Sequence, residues 1–433
     1  MTVPRPTAML QTVIRSTPFA FSRRRPLLVA LIAVVAIGTM LVVLGATRKR
    51  KLAPRRTTSA SHRTHHQAAS ILANPGKFSQ PGTVMRDRSS ERTRTYYLAA
   101  EEIDWNYAPN GSNQITGQPF GDLENTFVAR GPDRIGSTYR KAHFVEYTDD
   151  SFSVPKPVAR KWRHLGILGP VIRAEVGDTI KVVFKNNTTI PASVHPHGVF
   201  YAKDGSEGAP YNDGLAPKLG DAVPPGGNFM YFWAVPERAG PAQGDGSSVF
   251  WMYHSHVDEV ADTNAGLIGP LIITARGKAN RDGSPQDVDR EFVTMFKVFN
   301  ENASQYLSYN VQTFAENPAS VNVEDEEFEE SNLMHSINGY VYGNLDVNDL
   351  TMKKGERVRW YMLSVGTEVD LHTPHWHGNT GTFMGMRMDM IELLPGSMKV
   401  FDMKPDDVGI WYYHCHVDDH ILAGMQARYK VNP

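Results

Sequence analysis

Two parts of this 433-residue sequence each contain a pair of motifs in which one residue separates two histidines. The four pairs are His195 and His197, His254 and His256, His375 and His377, and His414 and His416. They recur in the same order, which predicts two copies of one structural unit, formed by duplication and divergence. Residues i and i+2 of a strand point to one face, so each pair directs two imidazoles to the same side, as adjacent metal ions require. For any single pair, two surface histidines on a strand are the alternative.

The sequence from Tyr96 onward predicts an all-β fold. Short runs rich in Val, Ile, Tyr and Phe are broken by Gly, Pro and Asn, and no long helical period is present. The polar segment 276–289 contains Gly and Pro and is typical of a domain boundary. We therefore predict two β-sandwich domains, residues 95–277 and 290–433, joined by a linker at 278–289.

The N-terminal part has a different composition. It carries 14 Lys and Arg before the first acidic residue, Asp87, whereas the remainder has 31 basic and 46 acidic residues. Because the remainder of the chain, called the body below, is this acidic, it repels nucleic acid and attracts cations. Residues 27–46 contain no charge and are long enough to cross a hydrocarbon core of about 30 Å as one transmembrane helix, between a basic segment at 1–26 and a disordered basic stalk at 47–94. A cleaved signal peptide is the alternative, but its apolar run is usually shorter.

The only cysteine, Cys415, lies between two histidines and excludes both an intrachain disulfide and a cysteine-based zinc cluster. One thiolate, two imidazoles and a distant thioether form the ligand set of a blue copper electron-transfer site. Around this cysteine, such ligands would be Cys415, His372, His420 and Met425. The first unit carries Ser255 at the matching position, and we predict no such copper there.

Four segments of the chain resemble the copper motifs of the multicopper oxidases. They are HPHG (195–198), HSH (254–256), HTPHWHG (372–378) and HCHVDDHILAGM (414–425). The resemblance implies two cupredoxin-like Greek-key domains, one type 1 copper that accepts single electrons, and a trinuclear cluster that reduces dioxygen to water. It implies that His195 and His375 hold the type 2 copper. The ligands implied for the two type 3 coppers are His197, His254, His256, His377, His414 and His416.

Further segments are similar to the ceruloplasmin and hephaestin group. They are GPDRIG (131–136), LGILGPVIRAEVGD (165–178), GLIGPLIIT (266–274) and ESNLMHSINGYVYGNL (330–345). Members of that group resemble a ring of three two-domain units, and this chain has one unit. The resemblance implies a homotrimer whose trinuclear cluster lies between subunits. A monomer that closes the cluster within one chain is the alternative.

The same resemblance implies a ferroxidase, with iron(II) as substrate beside the type 1 copper. The matching positions are Glu330, His335, Asp419 and, donated by a neighbouring unit, Glu368. Hard carboxylate oxygens stabilise iron(III) over iron(II) and so favour electron loss. The alternatives are a solvated acidic face for Glu330, a core position for His335 and an orienting contact to His420 for Asp419. An iron permease as partner follows from family analogy alone.

The sequence also indicates which other reductants and which other classes of protein are possible alternatives. Met384, Met386, Met388 and Met390 recur with period two and suit copper(I), although such a stripe is more often the core face of a strand. A cuprous oxidase and a laccase-like phenol oxidase are therefore the alternative functions. A copper-free binding scaffold would not need the full ligand set, and a copper nitrite reductase would not need eight paired histidines.

Smaller features concern calcium and location. The resemblance implies that the loop after HPHG can bind calcium, through Glu207, Asp213 and Asp221. Glycosylation acceptor tripeptides begin at Asn110, Asn186, Asn187 and Asn302. These acceptors and the apolar segment predict a single-pass membrane protein whose body is extracellular or in the secretory lumen.

Overall fold

A computed structural model describes residues 92–433, which form nineteen β-strands and five α-helices. The first half contains β1 (Thr93–Asn106), α1 (Asp122–Val128), β2 (Thr138–Tyr147), β3 (Ile172–Glu175), β4 (Thr179–Asn186), β5 (His195–Pro196), β6 (Phe200–Tyr201), β7 (Asn228–Ala234), β8 (Ser248–His254), α2 (Glu259–Ala265) and β9 (Ile268–Thr274). The second half contains β10 (Arg290–Asn300), α3 (Leu307–Phe314), α4 (Glu326–Ser331), β11 (Leu333–Ile337), β12 (Thr351–Lys353), β13 (Val358–Ser364), β14 (Pro374–Trp376), β15 (Gly381–Phe383), β16 (Met386–Met388), β17 (Ser397–Met403), β18 (Gly409–Cys415), α5 (Asp418–Leu422) and β19 (Gln426–Asn432).

The predicted helix 27–46, the segment 1–26 and nearly all of the predicted stalk lie outside the described residues. Within residues 92–433, none of the helices has the length and apolar character needed to cross a membrane.

The strands form two sandwiches with matching topology. In the first, a five-stranded sheet ordered β2-β1-β4-β7-β6 faces a four-stranded sheet ordered β3-β9-β8-β5. In the second, a six-stranded sheet ordered β11-β10-β13-β17-β15-β16 faces a four-stranded sheet ordered β12-β19-β18-β14. Each strand of the first sandwich has a counterpart in the second, so the predicted all-β, cupredoxin-like architecture is confirmed for the described residues.

Alternating side chains build both cores. Along β4, the side chains of Ile180, Val182 and Phe184 are fully buried, whereas the residues between them are partly exposed. In the second sandwich, Trp376 stacks on Phe401 with ring centroids 4.3 Å apart. Cys415 is a buried member of that second core, so its thiol has no access to bulk water.

The two sandwiches pack through the outer faces of β8 and β9 against β10 and β13. Phe250 contacts Tyr361 with ring centroids 5.5 Å apart, and both belong to one buried apolar cluster that spans the two halves. A bidentate ion pair joins Arg173 on β3 to Glu291 on β10, with N to O distances of 3.0 and 2.8 Å. The four sheets therefore stack in the order five-, four-, six- and four-stranded.

His164 is fully buried at the junction of the two sandwiches, in the short 3₁₀ helix Arg160–Leu165. The amide of Val293 donates to its Nε2 across 3.0 Å, which places the imidazole proton on Nδ1. Burial lowers the pKa of His164 from 6.5 to about 3.

We expect this histidine to make stability depend on pH. Between about pH 6.5 and 3 the unfolded imidazole binds a proton that the folded one does not, so stability falls as pH falls through that window. Replacing His164 by Gln, whose carbonyl can still accept from Val293, should reduce the slope of unfolding free energy against pH by about 1.4 kcal/mol per pH unit near the middle of that window. Denaturant unfolding at several pH values between 4 and 7 measures the slope, and an unchanged slope would contradict the assignment.

Candidate metal centre

The described part of the chain contains three groups of residues with metal-ligating atoms. Within each group, these atoms lie within 4.8 Å of one another. Their members are His372, Cys415 and His420; His195, His197 and His254; and His375, His377 and His414. The first is called the cysteine group below. The first histidine set is His195, His197, His254 and His256, and the second histidine set is His375, His377, His414 and His416.

The cysteine group is buried in the core of the second sandwich. Cys415 ends β18, and its Sγ lies 3.9 Å from His372 Nδ1 and 3.7 Å from His420 Nδ1. A first-row metal held in a trigonal plane by one thiolate and two imidazoles would separate sulfur from nitrogen by about 3.8 Å. The two Nδ1 atoms are 3.0 Å apart, so the rings would separate by about 0.5 Å to admit a metal. Met425 is fully buried in the same core, and its carbonyl accepts from the Cys415 amide.

Asp370 orients one ligand of the cysteine group. Its carboxylate lies 3.3 Å from His372 Nε2 and accepts the amide of Val298 at 2.8 Å. A hydrogen bond from Nε2 fixes the tautomer and leaves Nδ1 free toward the cysteine. Asp370 is only 2% exposed. Asp370 was not predicted as a site residue, although the sequence shows an acid two positions before a predicted ligand.

Burial sets the protonation of the cysteine group. It lowers the pKa of His372, and that of His420 to about 4, so both rings are neutral at pH 7, as metal ligands must be. Burial also raises the pKa of the Cys415 thiol. The thiol therefore holds its proton until a metal displaces it.

The matching position in the first sandwich has different chemistry. The Ser255 hydroxyl donates to Asp262 across 2.6 Å and accepts from the Ser193 amide. Ala192 pairs with Val223 as His372 pairs with Leu393, so the first sandwich has alanine where the second has His372. The absence of a blue copper in this sandwich stays a prediction.

The first histidine set lies where β5 meets β8. His195 is directly opposite His254 in the ladder, and Nε2 of His197 lies 3.1 Å from Nε2 of His254. His195 and His256 have ring centroids 5.1 Å apart. The Glu207 carbonyl accepts the N–H of His195 Nδ1 at 2.7 Å, which leaves Nε2 for a metal. Burial lowers the pKa of His254 to about 3 and that of His197 to about 4.

The second histidine set repeats this geometry where β14 meets β18. His375 is directly opposite His414, and Nε2 of His377 lies 3.1 Å from Nε2 of His414. His375 and His416 have ring centroids 5.4 Å apart. Burial lowers the pKa of His414 to about 4. Each set therefore offers converging imidazoles, which are ligands that suit copper.

The two histidine sets lie apart within one chain. Among residues 92–433, ring contacts join histidines within each set and none joins one set to the other. The sets belong to the two four-stranded sheets, and the six-stranded sheet lies between those sheets. Packed sheets are about 10 Å apart, so these two sheets are separated by about 20 Å. Metal ions that act together are only about 4 Å apart.

The predicted iron ligands are not assembled into one of the close groups. His335 is 8% exposed, and its ring centroid lies 5.2 Å from that of His420. Its Nδ1 donates to the Leu333 carbonyl, so Nε2 remains available. Glu330 ends the acidic part of α4, and Glu330, Glu368 and Asp419 are exposed. The structure thus brings the histidine to the cysteine group and leaves the carboxylates in solvent.

The methionine stripe was expected to be the core face of a strand, and this expectation is wrong for most of it. Met384, Met386 and Met390 are 78%, 56% and 36% exposed, and only Met388 packs against the core. β16 is a three-residue edge strand that contains Met386 and Met388, so Met384 and Met390 lie outside the sheet.

Two smaller predictions also meet the structure. The Lys203 ammonium contacts Glu207 and lies 3.6 Å from Asp213, so a cation already occupies the predicted calcium loop. Asp221 accepts the backbone amide of Lys218. Among the acceptor tripeptides, the one at Asn186 has a fully buried asparagine whose side-chain amide donates to two carbonyls, so it does not present that amide to a glycan.

Comparison with known proteins gives consistent matches. Two family models, both described as multicopper oxidase, match residues 165–278 and 294–433. Ferroxidase HEPHL1 and hephaestin of Homo sapiens are each 45% identical over 347 residues, which cover 78% of this chain and 29% of the relative. Ceruloplasmin of Homo sapiens is 40% identical over 343 residues, which cover 78% of this chain and 30% of that protein. The matched region therefore spans less than a third of these relatives.

Proposed function

The chain belongs to the multicopper oxidase family, and from this we propose that it oxidises iron(II) and reduces dioxygen to water. When bound, the coppers accept one electron at a time from the reductant and deliver four to dioxygen. The observation that carries the proposal is the buried cysteine group, which fits a trigonal copper and touches His335.

The copper ligands are proposed from the three groups. The type 1 ligands are Cys415, His372, His420 and Met425. The type 2 ligands are His195 and His375, and the type 3 ligands are His197, His254, His256, His377, His414 and His416. Cys415 is bonded through the backbone to His414 and His416, and these bonds would provide a short path for electrons from the cysteine group to the second histidine set.

Iron is proposed to bind beside His420. Nε2 of His335 and the carboxylates of Glu330 and Asp419 would hold it in the same subunit, with Glu368 of a neighbouring subunit as a fourth ligand. Hard oxygen ligands favour iron(III), so they promote loss of the electron. The exposed position of the three carboxylates is consistent with a substrate that arrives from solvent and leaves after each turnover.

A closed homotrimer is proposed because one chain separates its two histidine sets by a whole sheet. In a head-to-tail ring, the first set of one subunit meets the second set of the next, and three such contacts close without a free end. Each subunit would then complete one neighbour's cluster. We further propose that residues 27–46 anchor the body in a membrane, with the body extracellular or in the secretory lumen, and that an iron permease is a partner.

The iron site can be tested by a charge-matched pair of variants. Replacing Glu330 by Gln together with Asp419 by Asn should lower kcat/KM for iron(II) by about tenfold or more, equivalent to about 1.4 kcal/mol. Oxidation of phenylenediamine, which needs no carboxylates, should change little. The control replaces the adjacent acids, Glu329 by Gln and Asp418 by Asn, and steady-state oxygen consumption is measured for both reductants.

Equal losses for the two reductants would contradict the iron site. A preference of the native protein for copper(I) or for a phenol would instead favour the cuprous oxidase or the laccase-like alternative. The control variant removes the same charge from the same surface, so it separates ligand loss from a general change in cation attraction.

A further inference from the structure

The hairpin formed by β15 and β16, with the residues up to Met390, exposes three methionines that the proposed ferroxidase does not use. It is called the methionine hairpin below. Methionine is usually buried because its side chain is apolar and adaptable. Exposing Met384, Met386 and Met390 within seven residues therefore has no explanation in packing.

The backbone gives no reason for methionine at the turn. Met384 and Gly385 connect the paired residues Phe383 and Met386, and both have positive φ, at 51° and 78°. A two-residue turn of this kind favours Asn or Gly at its first position. A flexible thioether is thus displayed at a position where a small polar residue would be less strained.

The methionine hairpin is fastened directly to the second histidine set. Met390 forms a β-bridge with His375, and the Trp376 amide donates to the Asp389 carbonyl at 2.9 Å. The carboxylate of Asp389 lies 3.7 Å from His375 Nε2. Met390, at one end of the methionine hairpin, and the converging imidazoles therefore adjoin on one edge of the second sandwich.

We propose that the methionine hairpin binds copper(I) and passes it to the second histidine set while the protein is being loaded with copper. Thioethers are soft ligands that select copper(I), and imidazoles bind copper in either oxidation state. The transfer is a ligand exchange in which sulfur bonds break and nitrogen bonds form, with no electron gained or lost by the metal. The transfer rests on the proposed copper sites, whereas binding by the hairpin does not.

Binding is tested on the full-length, copper-loaded protein in detergent, titrated without oxygen with copper(I) against a chromogenic copper(I) chelator. The native protein should bind copper(I) beyond its resident copper, with sulfur ligands in the X-ray absorption spectrum. Replacing Met384, Met386 and Met390 by Leu should weaken this binding about tenfold or more. The matched control replaces Met230, Met398 and Met403, which lie in β7 and β17, by Leu.

Loading is tested on the same variants after copper has been removed. The hairpin variant should take up copper(I) about fivefold or more slowly than the control but reach the same copper content and the same oxidase activity. Equal copper(I) affinity in both variants would overturn the site, and dissociation of the hairpin variant into monomers would show that the methionines form a subunit contact instead. Equal loading rates would overturn the transfer. If the native protein and both variants fail to oxidise iron(II) while the native hairpin still binds copper(I), the proposed function is contradicted and the copper(I) site is not.

Discussion

Replacing Cys415 by Ser is expected to abolish both the blue absorption and the iron(II)-dependent consumption of dioxygen. A serine hydroxyl is not a thiolate, so the proposed type 1 ligand set would lose its charge-transfer donor and the metal–sulfur bond through which electrons would leave for the second histidine set. The fold should survive, because the first sandwich already carries Ser255 at this register. The Thr373 amide donates to Cys415 as the Ser193 amide donates to Ser255, so the new hydroxyl keeps a partner.

Absorption spectra, oxygen consumption and copper content per chain measure this effect. We expect the variant to lose one copper per chain and to keep those at the histidine sets. The matched control replaces Ser255 by Cys, which should not create a second blue centre because Ala192 occupies the place of a histidine ligand there. Retained blue colour in the Cys415 variant would contradict the copper assignment.

Local patterns in the sequence account for most of the candidate site. A histidine pair with one residue between its members fixes the direction of two side chains as soon as the segment is extended, and the ladders place His195 opposite His254 and His375 opposite His414. Within the cysteine group, the contact between Cys415 and His420 needs only that β18 ends at Cys415 and that the following helix returns His420 to it. The relations within one segment span few residues and follow from the order of residues, whereas the ladders join distant segments and were indicated only by the repeat of the histidine pairs in the two halves.

Relations between distant segments were not visible in the sequence. The methionines of the stripe recur at every second position, and this spacing predicted that they share one face of a strand. It did not show that β16 is a short strand at the exposed edge of the sheet. The contact of Asp370 with His372 depends on a loop conformation that also places the Val298 amide on the same carboxylate. The position of the six-stranded sheet between the two histidine sets depends on how one sandwich packs on the other.

That separation leads to the second large effect, complementation between two inactive variants. One variant replaces His197 and His254 by Ala and keeps all four histidines of the second set. The other replaces His377 and His414 by Ala and keeps all four histidines of the first set. Each alone should lose oxygen reduction completely, because every cluster in its ring lacks two of its eight histidine ligands.

Coexpression of the two variants should restore activity if the cluster lies between subunits. In a head-to-tail trimer, a contact is intact only when a good first set meets a good second set, which random mixing at equal amounts gives in about one quarter of contacts. Every trimer that carries both tags has one such contact among its three, so oxygen consumption with phenylenediamine, measured on doubly tagged oligomers, should recover to about a third of the native activity. A monomer that closed its cluster within one chain would recover none, because no chain in the mixture carries both sets. The same measurement thus decides between the trimer and the single-chain alternative without requiring the structure of the assembly.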